Sequence, residues 1–245
     1  MKSPYPDLHA HSTFSAAMTS GDAVGTPAEM VARAVKLGWN AVAITDHGWL
    51  GGAPLLYKEA IKVGIKPIIG CELYVTPPDM HGVRGKEVDG YTFHLTALAL
   101  SKEGYENLVV WTTEAMQRAN YHRKPRISLL RMAEIAPHAL HHNVVLSGCL
   151  ASELCRTLSQ EDDDGIAAGI SYVHDMKMLF PNFYIELVDH EIEKYVDESV
   201  YPAYVDVITR EAEVRTKLLA IAQATGTDVV LTNDSHMPSM KYRSS

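Results

Sequence analysis

Pairs of potential metal ligands stand two positions apart near both ends of this sequence, each pair at the end of an apolar, strand-like segment. The first pair lies in His9-Ala10-His11 and the last in Asp234-Ser235-His236. Because side chains on a strand alternate between its two faces, the outer residues of each triplet point the same way. Two such groups on one face can chelate one metal ion. A His-x-His pair alone is a weak signal, because it often arises by chance.

Single residues with the same coordinating chemistry occur at the ends of the strand-like segments between these two pairs. They are His47, Glu72, His94 and Cys149. Each has an ordinary alternative, such as a loop histidine, a helix-capping glutamate or a small buried cysteine. Ionisable groups at buried strand ends are nevertheless costly unless an opposite charge compensates them, and a cluster of divalent cations would do so. Imidazole, carboxylate and one thiolate suit zinc, manganese or iron better than calcium or magnesium.

Seven apolar or β-branched segments, bounded by Gly, Pro, Asn or Asp, are predicted to be the buried strands that position these residues. They cover residues 8–11, 41–45, 67–75, 93–100, 144–147, 183–187 and 229–232. Most are separated by predicted helices, at residues 27–37, 55–63, 105–116, 129–136, 166–179 and 205–224. This alternation predicts an α/β fold with a parallel sheet and right-handed crossovers. No Gly-rich phosphate loop follows the first strand, so we favour a closed barrel, in which the C-terminal strand ends meet at one mouth.

The composition is that of a globular protein that does not bind nucleic acid by charge alone. Of the 245 residues, 47% are hydrophobic and 21% are charged, and the formal net charge is -8. Nonspecific coating of nucleic acid needs clustered Lys and Arg, which argues against that class of protein but not against nucleic acid as a substrate. The three cysteines do not suit a disulfide framework. We find no membrane-spanning segment and no secretory signal, so the expected location is the cytoplasm.

Six motifs, taken together and in this order, resemble one known family. They are Leu8-His9-Ala10-His11-Ser12, Thr45-Asp46-His47-Gly48, Gly64-Ile65-Lys66-Pro67-Ile68-Ile69-Gly70-Cys71-Glu72, Lys124-Pro125-Arg126-Ile127, Leu146-Ser147-Gly148-Cys149-Leu150 and Thr232-Asn233-Asp234-Ser235-His236. The sequence is similar to PHP (polymerase and histidinol phosphatase) domains, above all to those at the N-terminus of bacterial DNA polymerase III alpha subunits. The resemblance implies a distorted seven-stranded (β/α) barrel of the PHP type, similar to a TIM barrel. We expect residues 1–245 to form a single domain of this kind, without a polymerase palm, thumb or fingers.

The resemblance also implies nine ligands for two or three divalent metal ions, which we expect to be zinc, manganese or iron. Grouped by metal ion, the ligands are His9, His11, Glu72 and Asp234; His47, His236 and Asp22; and Glu72, His94 and Cys149. Asp22 requires one further assumption. In the family the loop aspartate follows the second histidine more closely, where this chain has Met18. We interpret residues 17–21 as carrying a small insertion, which makes Asp22 the ligand.

Such a site predicts hydrolysis of a phosphoester by a water whose pKa is lowered by metal ions about 3.5–4 Å apart. Arg126 is the predicted phosphate clamp, because arginine meets phosphate through two parallel hydrogen bonds; a structural salt bridge is the alternative. Asp46 is predicted to support His47 or to accept a proton, with loop capping as the alternative. The resemblance implies the 3′ end of a DNA strand as the substrate, 3′–5′ exonuclease activity of the proofreading type, and other replication subunits as partners.

Two other functions remain open from the sequence. Some PHP domains of polymerases have lost ligands and serve as structural or interaction modules, and a metal cluster can be kept for stability alone. A small-molecule phosphatase of the histidinol phosphatase kind would share the metal site and differ in its substrate. The segments at residues 124–127 and 147–150 favour the polymerase branch.

Overall fold

Helices and strands alternate along most of the chain in the computed structural model, which describes residues 5–19, 23–136, 140–159, 164–189 and 205–236. Within these residues the α-helices and strands are α1 (Pro27–Leu37), β1 (Ala41–Ile44), α2 (Ala53–Val63), β2 (Lys66–Thr76), β3 (Phe93–Ala99), α3 (Lys102–Ala115), β4 (Tyr121–His122), β5 (Lys124–Ser128), α4 (Leu129–Ile135), β6 (Asn143–Leu146), α5 (Glu153–Leu158), α6 (Asp164–Leu179), β7 (Phe183–Val188), α7 (Val205–Thr225) and β8 (Val229–Thr232). The six predicted helices are all confirmed. Helix α5 was not predicted, because six residues are too few to show a helical period.

The first two helices end where the sequence predicts, and α1 also begins there. The Thr26 hydroxyl accepts a hydrogen bond from the Glu29 N–H, and the Glu29 carboxylate accepts one from the Thr26 N–H, which completes the capping box of α1. Gly38 ends α1 at φ +78° and Gly64 ends α2 at φ +77°. This left-handed conformation suits glycine, which has no Cβ.

Strand β2 is the centre of the sheet. Its first half pairs in parallel with β1, its second half pairs in parallel with β5, and its opposite edge pairs antiparallel with β3. From β3 the sheet continues antiparallel to β6 and then in parallel to β7 and β8. Strands β4 and β5 form a short antiparallel hairpin that was not predicted, because the segment is rich in charged residues and contains Pro125.

The prediction of a parallel sheet is wrong at β3, because this strand runs antiparallel to both of its neighbours. The chain between β2 and β3 contains two short 3-10 helices, Pro78–Met80 and Lys86–Tyr91, in place of a crossover α-helix. Without a helix packed across the sheet, the chain returns beside β2 in the opposite direction. The N-terminal end of β3, which carries His94, therefore lies at the same end of the sheet as the C-terminal ends of the parallel strands.

The N-terminal segment closes the curled sheet into a distorted barrel. Ala10 O accepts a hydrogen bond from Thr45 N at 2.8 Å, next to the end of β1. His11 N donates to Ser235 O at 2.8 Å, and Ser235 N donates to His9 O at 3.0 Å, beyond the end of β8. These bonds form an isolated bridge rather than the strand predicted here, because so few residues exchange hydrogen bonds with each neighbour. The predicted α/β barrel is thereby confirmed in a distorted form.

Two apolar clusters hold the helices against the sheet. In the larger cluster the Trp111 and Phe180 rings meet edge to face, with their centroids 6.4 Å apart. Trp111 Nε1 donates to Met132 O at 3.1 Å, so its buried polar atom is satisfied. The smaller cluster packs α1 and α2 against β1, with Ala34 and Leu56 fully buried. In the part of the chain that the structure describes, no helix combines the length and apolar character needed to cross a membrane.

Gly104→Ala is expected to lower the free energy of unfolding by about 1–3 kcal/mol, because overpacking strains the backbone. An added Cβ at this position of α3 would overlap the carbonyl oxygen of His142. Gly90→Ala is the control, since an added Cβ there meets nothing within 4 Å, and its effect should stay within about 0.5 kcal/mol. Urea unfolding compares the variants. Equal stability of Gly104→Ala and the wild type would contradict this packing of α3.

Candidate metal centre

Eight of the nine predicted ligands lie in the described part of the chain, and the structure brings their side chains together at one end of the barrel. Coordinating atoms within 4.8 Å of one another form three groups: His9, His11 and Asp234; His11, His47 and His236; and His47, Glu72 and His94. The groups share members and therefore form one cluster, which Cys149 joins through Glu72 and His94. The ninth predicted ligand, Asp22, lies outside the described residues.

The Glu72 carboxylate lies at the centre of this cluster and is fully buried. Its Oε2 atom lies 2.5 Å from His47 Nδ1 and 3.5 Å from His11 Nε2. Its Oε1 atom lies 2.7 Å from His94 Nδ1 and 3.3 Å from His9 Nε2. Burial opposes the charge on this carboxylate, but His94, His9 and His47 outweigh that effect and hold the pKa of Glu72 well below its ordinary value. Glu72 is therefore an anion that four imidazoles surround.

Asp234 supplies the second carboxylate of the cluster. Its Oδ1 atom lies 3.1 Å from His11 Nε2, 3.3 Å from His9 Nε2 and 3.6 Å from His236 Nδ1. The backbone of Asp234 is left-handed, with φ +47°, a conformation that aspartate adopts more readily than most residues. His236 Nδ1 donates to the main-chain oxygen of Asp234 at 2.8 Å. This tight turn therefore directs both side chains toward the cluster.

Cys149 brings one thiol to the cluster. Its sulfur lies 3.5 Å from Glu72 Oε1 and 3.6 Å from His94 Nδ1. Gly148 precedes it at φ +89°, and an added Cβ there would lie 2.6 Å from the His94 carbonyl oxygen, so the two backbones pack closely. Burial, and after it the carboxylates of Glu72 and Asp234, raise the pKa of the Cys149 thiol well above its ordinary value. A bound metal ion would deprotonate the thiol and make it a ligand.

His9 and His11 differ in protonation although they stand two residues apart. Burial opposes a charge on His9, but the carboxylates of Asp234, Glu186 and Glu72 outweigh it and raise the pKa of His9 well above its ordinary value. At His11 burial dominates and lowers the pKa to about 4, so this ring is neutral at pH 7. His11 can offer a lone pair to a metal ion at once, whereas His9 must first lose a proton.

Several polar atoms of the cluster face one another without hydrogen-bond geometry. They are His9 Nε2, His11 Nε2, Glu72 Oε2 and Asp234 Oδ1, all buried, and none has a hydrogen-bond partner within the described ranges. Unsatisfied buried polar groups are costly, and native proteins rarely keep them unless an ion or water completes them. Converging nitrogen and oxygen lone pairs are what zinc, manganese and iron bind. The residues present therefore fit the predicted divalent metal ions.

Glu186 of β7 supports the cluster and was missed in the sequence analysis. Its Oε1 atom lies 2.7 Å from His9 Nδ1 and accepts a hydrogen bond from Thr232 Oγ1 at 2.6 Å. Its Oε2 atom accepts one from Gly148 N at 3.1 Å. With Nδ1 of His9 held by a carboxylate, Nε2 faces the other ligands. The available signal was an acidic residue in the middle of an apolar strand, since a buried carboxylate requires partners.

Asp46 is linked to the cluster through Ser15 and also binds Ser12. Its carboxylate accepts hydrogen bonds from Ser12 N at 2.7 Å, Ser12 Oγ at 2.9 Å and Ser15 Oγ at 2.9 Å. The Ser15 oxygen also lies 2.9 Å from His11 Nδ1 and accepts a hydrogen bond from His47 N at 3.2 Å. Asp46 therefore helps to orient His11 through Ser15, whose hydroxyl also accepts the hydrogen bond of the His47 backbone N–H. Its predicted role as a proton acceptor stays a prediction.

Arg126 lies on β5 with its guanidinium bound to protein acceptors. Nε donates to Thr92 Oγ1 at 2.6 Å, one terminal nitrogen donates to His122 O at 2.7 Å, and the other donates to Asp89 Oδ1 at 3.0 Å. The side chain is buried, and Asp89 compensates its charge. These contacts favour the structural salt bridge over the predicted phosphate clamp. The partner, Asp89, is distant in sequence, which is why residue type alone could not decide between the two.

Gly148→Ala is expected to destabilise the protein more than Gly38→Ala does. Both substitutions place alanine at a positive φ angle, which costs about 1–2 kcal/mol. Only Gly148→Ala also brings a Cβ against backbone, whereas nothing lies within 4 Å of the Cβ at Gly38. The overlap should lower the free energy of unfolding by about a further 1–3 kcal/mol, as overpacking does. It should also weaken metal binding beside Cys149. Urea unfolding and elemental analysis measure the two effects. Indistinguishable variants would contradict the close packing at Gly148.

Glu186→Gln is expected to weaken metal binding about 10- to 100-fold, because partners that orient ligating histidines have effects of this size. The amide can still contact His9 but no longer supplies the charge that raises the basicity of the ring. Glu59→Gln is the control, since Glu59 lies on α2 and pairs with Lys62 at 3.6 Å. Competition with a chromogenic chelator measures the affinity. Unchanged affinity in Glu186→Gln would rule out this supporting role.

Comparison with known proteins shows which family this chain belongs to. A family model described as the PHP domain matches residues 7–190. The DNA polymerase III subunit alpha of Saccharopolyspora erythraea is 33% identical to this chain, and the match covers 95% of the chain but 19% of that subunit. The first three curated relatives match over 14–19% of their length, so the chain spans less than a fifth of each.

Solved structures share the fold at low sequence identity. An amidohydrolase from Chromobacterium violaceum, with bound sulfate and no metal, is 16% identical with a TM-score of 0.55, covering 96% of this chain and 88% of that one. A Bifidobacterium adolescentis protein assigned as a metal-dependent phosphoesterase is 15% identical with a TM-score of 0.52 and the same coverage. These likenesses agree with the distorted barrel and show the fold alone. The match of the family model over residues 7–190 shows that this chain belongs to the PHP domain family.

Proposed function

We propose that this chain is a metal-dependent phosphoesterase that removes nucleotides from the 3′ end of a DNA strand. The observation that carries the proposal is the convergence of eight coordinating side chains, drawn from both ends of the sequence, on one buried cluster. Four atoms of that cluster lack hydrogen-bond partners in the described part of the chain, as expected where metal ions complete the site.

Two or three ions of zinc, manganese or iron would be held by the three predicted sets of ligands. The sets are His9, His11, Glu72 and Asp234; His47, His236 and Asp22; and Glu72, His94 and Cys149. Such ions supply Lewis-acid polarisation of a phosphoryl group and lower the pKa of the water that attacks it. Glu72 belongs to two of the sets, which agrees with its central position among four histidines.

Buried side chains around the cluster orient the histidines for this chemistry. Glu186 contacts Nδ1 of His9, and Ser15 contacts Nδ1 of His11, so Nε2 of both rings faces the shared space. Asp46 receives the hydrogen bond of the Ser15 hydroxyl and keeps that side chain in place. Burial raises the pKa of Asp46, so its carboxylate is a suitable acceptor for a proton released near the site.

The DNA substrate is proposed from the relatives rather than from the geometry. The first eight curated relatives are all DNA polymerase III alpha subunits, 29–34% identical to this chain. The chain spans a small part of each, and for this part we propose the exonuclease activity and contact with replication subunits. The expected setting is the cytoplasm, with residues 1–245 as one PHP domain.

Protein loaded with manganese or zinc is expected to release labelled nucleotide from a single-stranded oligonucleotide with a 3′ label. His9→Ala and Asp234→Asn each remove a coordinating group and are expected to abolish this cleavage while circular dichroism shows an intact fold. His174→Ala is the control, because His174 is exposed on α6, and it should cleave at the wild-type rate. Elemental analysis of each variant measures the bound metal.

Three outcomes would contradict parts of the proposal. Full activity in both His9→Ala and Asp234→Asn would refute the metal site. Hydrolysis of phosphomonoesters without cleavage of the oligonucleotide would indicate a small-molecule phosphatase of the histidinol phosphatase kind. No turnover with any metal, together with a Tm that collapses in chelator, would indicate a metal-stabilised structural module.

A further inference from the structure

We infer that Lys124 binds a phosphate group of the substrate beside the metal centre, with the Tyr74 ring positioning its ammonium. The inference rests on the proposed function, because it assumes a substrate that carries phosphate. The same short strand holds Arg126, the residue that the sequence favoured as a clamp, but that guanidinium is bound to protein acceptors. Lys124, two residues earlier, is the neighbouring cation, and its ammonium lies over the ring of Tyr74.

The register of the sheet directs Lys124 toward the metal centre. Strand β5 runs parallel to β2, with Arg126 opposite Tyr74. Residues that lie opposite each other in neighbouring strands project to the same face, and so do residues two apart on one strand. Lys124 therefore shares a face with Tyr74 and with Glu72. The Lys124 Nζ atom lies 4.4 Å from the centroid of the Tyr74 ring, in agreement with that orientation.

The Tyr74 ring in turn contacts two of the predicted ligands. Its centroid lies 5.1 Å from that of the His94 ring and 5.7 Å from that of the His47 ring. Gly48, the residue after His47, has φ +68°, and an added Cβ there would lie 2.7 Å from Pro125 Cγ and 3.2 Å from Tyr74 Cδ2. The backbone next to Lys124 is therefore packed against the turn that carries a ligand, which leaves little room for this strand to move away.

A phosphate that approaches this centre meets an acidic surrounding. Glu72, Asp234 and Glu186 lie in or beside the cluster, and the chain has a net charge of -8. Besides bound metal ions, a side-chain cation at the rim offsets the repulsion and orients the phosphate oxygens. A lysine ammonium suits this task, because it is a compact charge with three donors on a flexible stem. A charge-assisted hydrogen bond to a phosphate oxygen is stronger than the cation–π contact with the Tyr74 ring, so phosphate binding can compete with that contact.

Titration calorimetry of the manganese-loaded protein with inorganic phosphate tests this contact apart from turnover. Lys124→Met keeps an apolar stem and removes the charge, whereas Lys124→Arg keeps the charge. Lys102→Met is the matched control, because Lys102 is exposed on α3 and pairs with Glu106 at 3.5 Å. We expect the phosphate affinity to fall about tenfold in Lys124→Met, as for the loss of one charge-assisted contact. It should recover in Lys124→Arg and stay unchanged in Lys102→Met.

A second measurement uses a single-stranded phosphorothioate oligonucleotide over a series of salt concentrations. Loss of one phosphate contact reduces the slope of log K against log salt by about 0.7, and Lys124→Met should show this reduction. Melting temperature and metal content, compared with the wild type, separate a phosphate contact from a structural role. A lower melting temperature with unchanged phosphate affinity would assign Lys124 to the fold and overturn the inference.

The inference and the proposed function can fail separately. Equal phosphate affinity in the wild type and Lys124→Met overturns the inference even if the protein cleaves DNA, and so does an absence of phosphate binding to the wild type. If phosphate binding depends on Lys124 but the 3′-labelled oligonucleotide is never cleaved, the inference stands and the nuclease function does not.

Discussion

The contact between the buried Glu72 carboxylate and the imidazoles around it is the interaction on which the rest of this structure depends. A carboxylate without water is costly unless opposite charges or hydrogen bonds compensate it. Here the compensating rings come from the N-terminal segment, from the turn after β1 and from β3. Each ring must therefore reach the same small volume from a different part of the chain. The barrel and its supporting carboxylate and hydroxyl groups make this convergence possible.

The site and the closure of the barrel use the same residues. The backbones of His9 and His11 hydrogen bond to Ser235 across the gap in the sheet, while their side chains point to Glu72 and Asp234. A shift of this segment by one residue would exchange inward and outward side chains and remove both histidines from the cluster. Backbone pairing thus sets the position of the ligands, and the contacts of their side chains in turn stabilise the position of the short segment.

Much of this arrangement could be predicted from the sequence, because strand alternation places residues such as His9 and His11 on one face whatever the details of the fold. The direction of β3 could not, since an apolar segment looks the same in a parallel or an antiparallel sheet. The partners of Glu186 and of Arg126 could not be predicted either. They lie far away in the sequence, and residue type does not reveal which groups they are.

The pairing of the N-terminal segment with the end of β8 also constrains how the protein is made. Ala10 leaves the ribosome long before Ser235, yet the two form a bridge in the native barrel. Contacts between such distant positions form late and slowly, because a long loop must close first. Nascent chains therefore hold His9 and His11 without Asp234, and the complete ligand set exists only after synthesis has passed the final strand.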